Sequence, residues 1–529
     1  MLADAFRGVS RRLDEAAMVV RMTRDLPGWL RRPVSLEESK AKLRADLGTR
    51  PERFLVLAER AFYGQPRSPY ARLLRYAGVE LGDLREMVEG DGLEPALQRL
   101  AQAGVYVRFD EMKGRIPAVR GSTTFQFHED EFDNPLVAPH FVIYTGGSRG
   151  RPTRVRRSLA LLRETGIAQL LGHAAHGRPV RRRISYFGAP LQGFLTAEAV
   201  GQHVVAWYRP TPVYPLWARA AVWYLSALAR VGGRSMARGP YCNPQEPWPL
   251  GERALRELDH GQPVELNCSS SVAVRVAEAA LARGVSLRGI NFTTSGEPLT
   301  GARRDRIVRS GATILAHYGT RETALIGLGC PNGTSPDDMH LFSDRHALVT
   351  HPRRVVQDGP MVDAMLLTSL SPYAAKLLLN AENGDYADIE NRDCGCLLGE
   401  LGLRTHLSNV RSFEKLTGEG VTFARTTLMA FLEVDLPERF GGSSVDYQLA
   451  EEEQPDSSTR LVLRVHPGVG AVDERALVAA LLSRLGSEGL SPRIHAEMLR
   501  NAGAVRVLRE PPLATAAGKV LPFHLVRRA

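Results

Sequence analysis

Hydrophobic and polar positions follow helical spacing through most of the first 135 residues. Ser35 precedes an apolar-periodic stretch and is followed three residues later by Glu38, which is a capping-box signature. Between about residues 260 and 330, helical spacing alternates with short extended runs. The predicted helices are Val272–Arg283 and Gly301–Ser310, and the predicted strands are Leu287–Phe292 and Thr313–His317. This alternation predicts an α/β layered domain.

The pattern changes after about residue 411. Val445–Leu449, Leu461–Val465 and Val505–Leu508 are strand-like, and Asp473 can cap a helix that carries leucines on one face. A small α+β domain is therefore expected at residues 412–529, after a large α/β domain at residues 1–411.

Residues 213–231 carry an aromatic and apolar stripe at helical spacing, formed by Trp217, Trp223, Tyr224, Leu225 and Leu228. A stripe of this kind is more often core packing than a ligand pocket. We therefore expect it to face the protein interior.

The composition is that of an ordinary globular protein. The 529 residues are 44% hydrophobic and 24% charged, which excludes a predominantly disordered or collagen-like chain. The net charge of +10 favours phosphate-rich ligands and is compatible with nucleic acid, but it is dispersed along the chain, and dispersed charge is usually a solvated surface. We therefore expect no nucleic-acid partner. No apolar run of 18 residues indicates a membrane span, and the N-terminus does not look like a secretory signal. Five cysteines do not form a disulfide framework, so a cytoplasmic protein with reduced thiols is expected.

The most informative segment is the glycine-rich loop that follows Phe141–Tyr144, which is expected to be a buried strand. It reads Thr145-Gly146-Gly147-Ser148-Arg149-Gly150-Arg151-Pro152-Thr153. Its glycines allow successive backbone N–H groups to point inward, and its hydroxyls and guanidinium groups add donors for phosphate oxygens. The same letters contain Gly146-x-Ser148-x-Gly150, the pattern of a serine-hydrolase nucleophile elbow, for which His317, His340 and His406 are possible bases. A plain surface turn is the third interpretation.

Taken with motifs further along the chain, this loop resembles the phosphate-binding signature of the adenylate-forming (AMP-binding) superfamily. Thr145, Gly147, Ser148, Gly150 and Pro152 match that signature, and the Arg151-Pro152-Thr153 ending is closest to the phenylacetate-CoA ligase-like branch. Four further family motifs follow in the family's order, together with the arginine at the domain junction. They are Ser295-Gly296-Glu297-Pro298-Leu299, Tyr318-Gly319-Thr320-Arg321-Glu322, Gly384-Asp385, Arg411, and Leu513–Lys519. The resemblance covers roughly residues 140–529.

The resemblance implies the adenylate-forming fold, with a large N-terminal domain and a small mobile C-terminal domain, and it implies a role for each matching residue. The ATP phosphates would be bound by Thr145, Gly147, Ser148, Arg149, Gly150 and Thr320. The residues near the adenine would be Ser295, Gly296, Glu297, Pro298, Tyr318 and Gly319. Asp385 and Arg411 would hold the ribose, Glu322 would bind Mg²⁺, and Lys519 would be the mobile catalytic lysine. Carboxylate attack on a phosphate brings two anions together, so donors and a cation must offset that charge.

Some positions depart from the family pattern. Arg149 and Arg321 add positive charge beside the expected triphosphate, and Phe413 stands where a polar hinge residue is usual. These departures keep a catalytically degenerate nucleotide-binding homologue open as an alternative.

A metal site is also expected. Cys330 and His340 precede Cys394-Gly395-Cys396, and three thiols with an imidazole suit a tetrahedral structural Zn²⁺. Some relatives in the resembled branch carry zinc at a similar pattern. Buried thiols without a metal are the other interpretation.

The sequence thus predicts an ATP-dependent ligase that forms an acyl- or aryl-adenylate, releases pyrophosphate and passes the acyl group to the thiol of coenzyme A or a carrier protein. A serine hydrolase using Ser148 and a degenerate homologue remain as alternatives. Tyr186, Phe187, Phe194 and Phe292 are candidates for lining the acid pocket. The sequence identifies neither the acid nor the oligomeric state, for which a homodimer is one option, and the first 135 residues have no assigned role.

Overall fold

The computed structural model describes residues 2–144, 154–178, 180–187, 190–212, 216–237, 239–258, 261, 263–354, 361–412, 425–453, 459–485, 505–514 and 519–526. The helices are α1 (Leu2–Leu30), α2 (Leu36–Gly48), α3 (Arg50–Leu57), α4 (Pro69–Tyr76), α5 (Leu81–Asp91), α6 (Leu93–Gln102), α7 (Phe109–Met112), α8 (Leu159–Ala175), α9 (Pro190–Glu198), α10 (Leu216–Val231), α11 (Trp248–Leu258), α12 (Ser270–Ala282), α13 (Gly301–Arg309), α14 (Leu397–Glu400), α15 (Arg425–Ala430), α16 (Leu436–Phe440) and α17 (Glu474–Leu485).

The strands are β1 (Ala118–Arg120), β2 (Thr123–Phe125), β3 (Phe141–Tyr144), β4 (Arg154–Arg157), β5 (Arg182–Tyr186), β6 (His203–Tyr208), β7 (Val264–Cys268), β8 (Ile290–Ser295), β9 (Thr313–Thr320), β10 (Ala324–Gly329), β11 (Met339–Leu341), β12 (His346–Arg354), β13 (Met361–Ser369), β14 (Ala381–Asn391), β15 (Thr405–Ser412), β16 (Tyr447–Glu453), β17 (Thr459–Val465), β18 (Val505–Leu508) and β19 (Phe523–Val526).

One large mixed sheet organises the described part of residues 1–412. Its eleven strands run in the order β12-β13-β14-β15-β11-β10-β9-β8-β7-β5-β6. From β9 to β6 the neighbouring strands are parallel, and from β9 to β12 they are antiparallel. The predicted α/β class is confirmed. The antiparallel half was not predicted.

Different helices cover the two halves of this sheet. Phe54, Leu73 and Leu97 of the N-terminal helices pack with Leu366 and Leu407 of the antiparallel strands in one buried cluster. Helices α11 and α12 pack against the parallel strands. The mainly helical character predicted for residues 1–135 is confirmed, and Ser35 and Glu38 form the predicted capping box. This region therefore completes the core of the large unit.

The C-terminal elements form a smaller layer. Strands β18-β17-β16-β19 make a four-stranded sheet, and α15–α17 share one hydrophobic cluster with it. The predicted helix cap is confirmed, since Asp473 Oδ1 accepts from the backbone N–H groups of Arg475 at 2.9 Å and Ala476 at 3.1 Å. The small α+β unit is thus as predicted. The division at residue 411 stays a prediction, because residues 413–424 lie outside the described residues.

The strand that leads into the glycine-rich loop differs from expectation. Phe141–Tyr144 was predicted to be buried, but among the described strands β3 pairs only with β4, in a two-stranded sheet, and its side chains are partly or largely exposed. The prediction of burial was wrong because four apolar letters do not distinguish a central strand from an edge hairpin.

Candidate active site and metal centre

Two of the predicted motifs lie where parallel strands end. Strand β8 ends at Ser295 and β9 ends at Thr320, and the two strands are neighbours with Ser295 opposite His317. Gly296–Leu299 and Arg321–Glu322 therefore emerge at the same edge of the sheet. The carboxyl ends of parallel strands are where α/β proteins usually bind their ligands.

The C-terminal unit places Lys519 against this edge. Gly296 has φ of +80°, and a Cβ built on it would lie 2.0 Å from Lys519 Nζ, so a side chain there would collide with the ammonium group. The backbone N–H of the next residue, Val520, donates to Ser271 Oγ at 3.3 Å. Burial and the nearby Arg321 lower the pKa of Lys519, while Glu297 opposes them. Lys519 thus lies between two of the predicted motifs.

Tyr318 and Asp385 come together although they are far apart in sequence. The Tyr318 hydroxyl donates to Asp385 Oδ2 at 2.8 Å and accepts from Asn383 Nδ2 at 2.6 Å. Burial and the Asp385 carboxylate raise the pKa of Tyr318 well above its usual range. Arg411, on β15 beside Asp385's strand β14, donates from Nη1 to Asp337 Oδ2 at 3.1 Å. Two predicted nucleotide contacts, Tyr318 and Asp385, are therefore in contact, and the third, Arg411, lies on the strand next to that of Asp385.

Glu322 is paired with a lysine that the sequence did not single out. Lys113 Nζ donates to Glu322 Oε1 at 2.7 Å and to Glu129 Oε1 at 2.9 Å, and its side chain is almost fully buried. Burial alone raises the pKa of Glu322, but Lys113 outweighs it and the pKa is lowered. The carboxylate is therefore held in its ionised form.

Arg157 adds a second cation at this place. Its guanidinium is buried and donates from Nη2 to the Arg321 carbonyl, while Nε and Nη1 have no hydrogen-bond partner among the described residues. Burial lowers the pKa of Arg157 to about 10, against the attraction of Glu322. Arg157 lies at the end of β4 away from the glycine-rich loop, but its contact with Arg321 and its attraction to Glu322 put its positive charge beside the turn between β9 and β10.

Thr320 and Gly319 shape the turn between β9 and β10. Thr320 Oγ1 and Thr323 Oγ1 share a hydrogen bond of 2.9 Å, and the Thr323 N–H donates to Thr320 Oγ1 at 3.1 Å. A Cβ on Gly319 would lie 2.1 Å from the Ala324 carbonyl oxygen, so only glycine fits. This turn fixes the direction in which Glu322 leaves the sheet.

Glu297 has a structural environment that accounts for its burial. Its carboxylate accepts from Ser271 N and Oγ, both at 2.9 Å, and from Arg303 Nη1 at 2.8 Å. Arg303 Nε in turn lies 3.1 Å from Glu433 Oε1 of the C-terminal unit. We call Glu297, Arg303 and Glu433 the buried triad. It connects the segment beside Lys519 to the C-terminal unit.

Other predicted residues lie outside the described residues or in the core. Thr145, Gly147, Ser148, Arg149, Gly150 and Phe413 are among those not described, so the glycine-rich loop stays a prediction. Tyr186 and Phe292 are buried in one hydrophobic cluster and Phe194 in another, and Phe187 is partly buried. Core packing accounts for the three buried rings, so their assignment to an acid pocket also stays a prediction.

The histidines considered for a hydrolase have other environments. His317 is buried beside Arg183 and Glu265, and burial lowers its pKa to about 4. His340 and His406 belong to a thiol-rich cluster, with ring centroids 4.2 Å apart. The described geometry therefore gives the hydrolase alternative no support.

That thiol-rich cluster brings together all four predicted zinc ligands. His340 Nε2 lies 3.1 Å from Cys396 Sγ and 3.6 Å from Cys394 Sγ, and Cys330 contacts both thiols. Hydrogen bonds from Cys330 and His340 lower the pKa of Cys396 to about 3. Thiolate and neutral imidazole are the ligand forms that Zn²⁺ requires.

His406 joins these ligands and was not predicted. The ligand atoms of Cys330, His340, Cys394 and His406 all lie within 4.8 Å of one another. His340 Nδ1 bonds the Leu403 carbonyl at 2.8 Å and His406 Nδ1 bonds Asp338 Oδ1 at 2.7 Å, so both imidazoles are oriented by outer partners. The residues fit a tetrahedral metal centre, with five candidates for four positions.

The missed residues share one reason. Lys113, Arg157 and His406 are single side chains without a local motif, and only long-range folding brings them to these sites. Strand β15, which carries His406, was not predicted, so its proximity to Cys330 had no sequence signal. The basic cluster at residues 154–157 could have indicated Arg157, but not that it alone of the three arginines is buried.

Comparison with known proteins finds similarity only among solved structures. No family model and no curated protein matches the chain. A 2-hydroxyisobutyryl-CoA ligase in the postadenylation state with 2-HIB-AMP is 16% identical with a TM-score of 0.49, and the match covers 93% of this chain and 90% of the ligase. The fold of the chain resembles that of this ligase.

Two other similar structures are an O-succinylbenzoate coenzyme A synthetase from Bacillus subtilis with AMP and ATP-bound MatB from Rhodopseudomonas palustris. The first is 14% identical with a TM-score of 0.41, and the match covers 72% of this chain and 68% of that chain. The second is 12% identical with a TM-score of 0.38, covering 81% and 71%. At such identities and TM-scores, the likeness assigns neither an activity nor a substrate, and the phenylacetate-CoA ligase-like branch stays a prediction.

Among the described residues, no helix is both long and apolar enough to cross a bilayer.

Proposed function

We propose that the chain is an ATP-dependent ligase that activates an organic acyl or aryl carboxylic acid as its adenylate. One observation carries the proposal: Lys519 of the C-terminal unit is partly buried against Gly296 and close to Arg321, at the edge where β8 and β9 end. A lysine in this place can reach substrates bound at that edge. The ordered motifs, and the resemblance to adenylate-forming enzymes that they carry, support the same conclusion.

The proposed first step forms a bond between a carboxylate oxygen of the acid and the α-phosphorus of ATP. The bond from that phosphorus to the bridging oxygen breaks, and pyrophosphate leaves. The Lys519 ammonium would hold the carboxylate and α-phosphate oxygens together and offset their charge in the transition state. Arg157 Nε and Nη1, which have no hydrogen-bond partner among the described residues, would take an oxygen of the departing pyrophosphate.

The proposed nucleotide contacts are Tyr318, Asp385 and Arg411. The Asp385 carboxylate would accept from the ribose hydroxyls in place of the Tyr318 hydroxyl that it now binds, and Arg411 would donate to the same sugar. Tyr318 would lie against the adenine ring. The contact between Tyr318 and Asp385 supports this assignment for these two residues, and Arg411 lies on β15, the strand next to that of Asp385.

The Glu322 carboxylate has the ligand chemistry that Mg²⁺ requires. The carboxylate is ionised and offers the hard oxygen that Mg²⁺ prefers, and when bound the ion would neutralise phosphate charge. Lys113 already binds one of the two oxygens, so the cation and the ammonium group would have to share Glu322. Zn²⁺ fits the thiol-rich cluster, where it would pin β11 and β15 to the Cys394–Cys396 segment.

The second proposed step passes the acyl group from AMP to a sulfur. The thiol of coenzyme A or of a carrier protein attacks the acyl carbon, its proton is released, and AMP leaves. A thiol acceptor is what the resemblance of the ordered motifs to adenylate-forming enzymes implies.

Pyrophosphate release from ATP with a panel of aromatic and aliphatic acids tests this function. We expect release that needs ATP, Mg²⁺ and one class of acid, with a thioester detected by mass spectrometry when coenzyme A or a carrier protein is added. Ester cleavage without ATP, with fluorophosphonate labelling of Ser148, would favour the hydrolase. Nucleotide binding without turnover for any acid would favour the degenerate homologue.

A further inference from the structure

The sequence predicts that the apolar stripe on α10 faces the core. Tyr224, Leu225 and Leu228 do pack in a buried cluster, but Trp223 is exposed. Leu225 and Ala229 are buried, but Leu216, Trp223 and Val231 are 77%, 67% and 60% exposed. These three positions, with Ala220 and Ala227, are spaced i, i+4, i+7, i+11 and i+15, so they share one face of the helix. This face is about 22 Å long at 1.5 Å per residue.

Helix α1 lies beside α10 and extends this surface. The Thr23 and Tyr224 hydroxyls share a hydrogen bond of 2.6 Å, and Arg31 Nη2 donates to the Val231 carbonyl at 2.6 Å. The two helices are therefore parallel neighbours. On α1, Leu13, Val19 and Val20 are between 52% and 67% exposed. Leu13 and Val20 are seven residues apart and share one side of the helix, and Thr23, three residues after Val20, contacts α10. We call the exposed side chains Leu13, Val19, Val20, Leu216, Trp223 and Val231 the α1–α10 face.

Positive charge borders the α1–α10 face. No Asp or Glu occurs between Glu198 and Glu246, whereas that segment contains five arginines. Two of them, Arg219 and Arg230, are exposed on α10 directly beside the apolar stripe. The acidic groups of α1 whose side chains are described form ion pairs: Asp14 with Arg154 and Arg156, Glu15 with Arg154, and Asp25 with Arg24 and His140.

Several exposed apolar residues grouped on a water-facing surface indicate a binding site. We propose that the α1–α10 face binds the surface of an anionic lipid bilayer, with Trp223 and Leu216 in the headgroup region. An amphipathic helix with Trp and Leu on one face and arginines at its border is suited to this position. The arginines match a negative surface, and a bilayer accommodates a convex pair of helices without a matching groove.

Vesicle flotation of the full chain tests the proposal. We expect binding to vesicles of phosphatidylcholine with 30 mol% phosphatidylglycerol, weak binding to phosphatidylcholine alone, and weaker binding at 0.5 M NaCl because salt screens the arginines. The double variant Leu216→Ser/Trp223→Ser should bind at least tenfold more weakly, since it removes two large apolar side chains. Arg219→Ser and Arg230→Ser should each weaken binding about fivefold.

The matched control is Leu281→Ser/Val308→Ser, which removes two exposed apolar side chains from α12 and α13. It should bind vesicles like the parent chain, and circular dichroism should show all variants folded. Equal binding to neutral and anionic vesicles, or no difference between the two double variants, would overturn the proposal. So would a dimer, seen by light scattering, that Leu216→Ser/Trp223→Ser abolishes, because a second copy would then be the occupant.

Discussion

The buried triad provides a quantitative test of how the C-terminal unit is held. The side chains of Glu297, Arg303 and Glu433 are at most 2% exposed, and Arg303 is within 3.1 Å of both carboxylates. Despite its burial, these carboxylates raise the pKa of Arg303. Arg303→Met keeps the apolar stem but leaves two carboxylates buried without their cation.

Removing one partner of a buried ion pair costs about 3–5 kcal/mol. Since proteins are stable by only about 5–15 kcal/mol, Arg303→Met should remove a large share of the free energy of unfolding. The adjacent Arg304 is the matched control, because its side chain is half exposed and lies 4.0 Å from the exposed Asp305. Such surface pairs contribute about 0–1 kcal/mol, so Arg304→Met should have little effect.

The assay is urea unfolding followed by circular dichroism and tryptophan fluorescence. Adding Glu433→Gln to Arg303→Met should recover part of the loss, since it removes one of the two unpaired charges. The double-mutant cycle should give a coupling energy of about 0.5–3 kcal/mol. If Arg303→Met costs no more than 1 kcal/mol beyond Arg304→Met, or if the two changes are additive, the triad does not hold the units as described.

Three further predictions follow. The purified chain should contain about one zinc per molecule. Cys396→Ser should lower the zinc content and the melting temperature, whereas Cys242→Ser, which lies outside the cluster, should leave the zinc content unchanged. Equal zinc content in the two variants would refute the metal centre. Tyr318→Phe should raise the KM for ATP severalfold with a smaller change in kcat, and an unchanged KM would remove Tyr318 from the nucleotide site. Burial raises the pKa of Glu278 from 4.5 to about 7, so the neutral form is favoured on folding and the free energy of unfolding should fall by up to about 3 kcal/mol between pH 4.5 and 7. Glu278→Gln should remove this slope in melts at pH 5 and pH 8, and an unchanged slope would contradict it.

Local periodicity predicted the elements whose pattern is local. The helices that begin at Ser270, Gly301 and Glu474 and the strands that begin at Thr313 and Val505 all correspond to predicted segments. In each of these, the alternation or helical spacing of apolar residues matches the face that is buried. The order of motifs also brought Tyr318 and Asp385 into one prediction, and the structure places them in contact.

The antiparallel half of the sheet had no comparable signal. Strand β14 carries a mostly polar and acidic sequence, and its outer half is exposed, so it forms a strand because β13 and β15 hydrogen-bond to both its edges. Pairing across many residues leaves no mark on the local pattern. For the same reason, the sequence did not predict His406 as a zinc ligand or Lys113 as the partner of Glu322.

Trp223 shows a different failure, in which one residue of a stripe whose other described residues were correctly assigned to the core lies on the exposed side. Helical spacing identifies a stripe but not which stripe faces the core. Leu225 and Ala229 define the buried side of α10, and Trp223 lies on the exposed side. The absence of acidic residues near the stripe was the available signal.

The central claim is that Lys519 serves an adenylating site. Acid-dependent exchange of labelled pyrophosphate into ATP, measured for the parent chain, Lys519→Ala and Lys40→Ala, tests it most directly. Lys40 is a matched control because it pairs with Glu37 on the surface of α2. We expect the parent chain to catalyse exchange with one class of acid. The exchange rate should fall about a hundredfold or more in Lys519→Ala, because a group that stabilises charge in the transition state is lost. It should be unchanged in Lys40→Ala. Exchange in Lys519→Ala within twofold of the parent chain, with ATP still bound, would contradict the account.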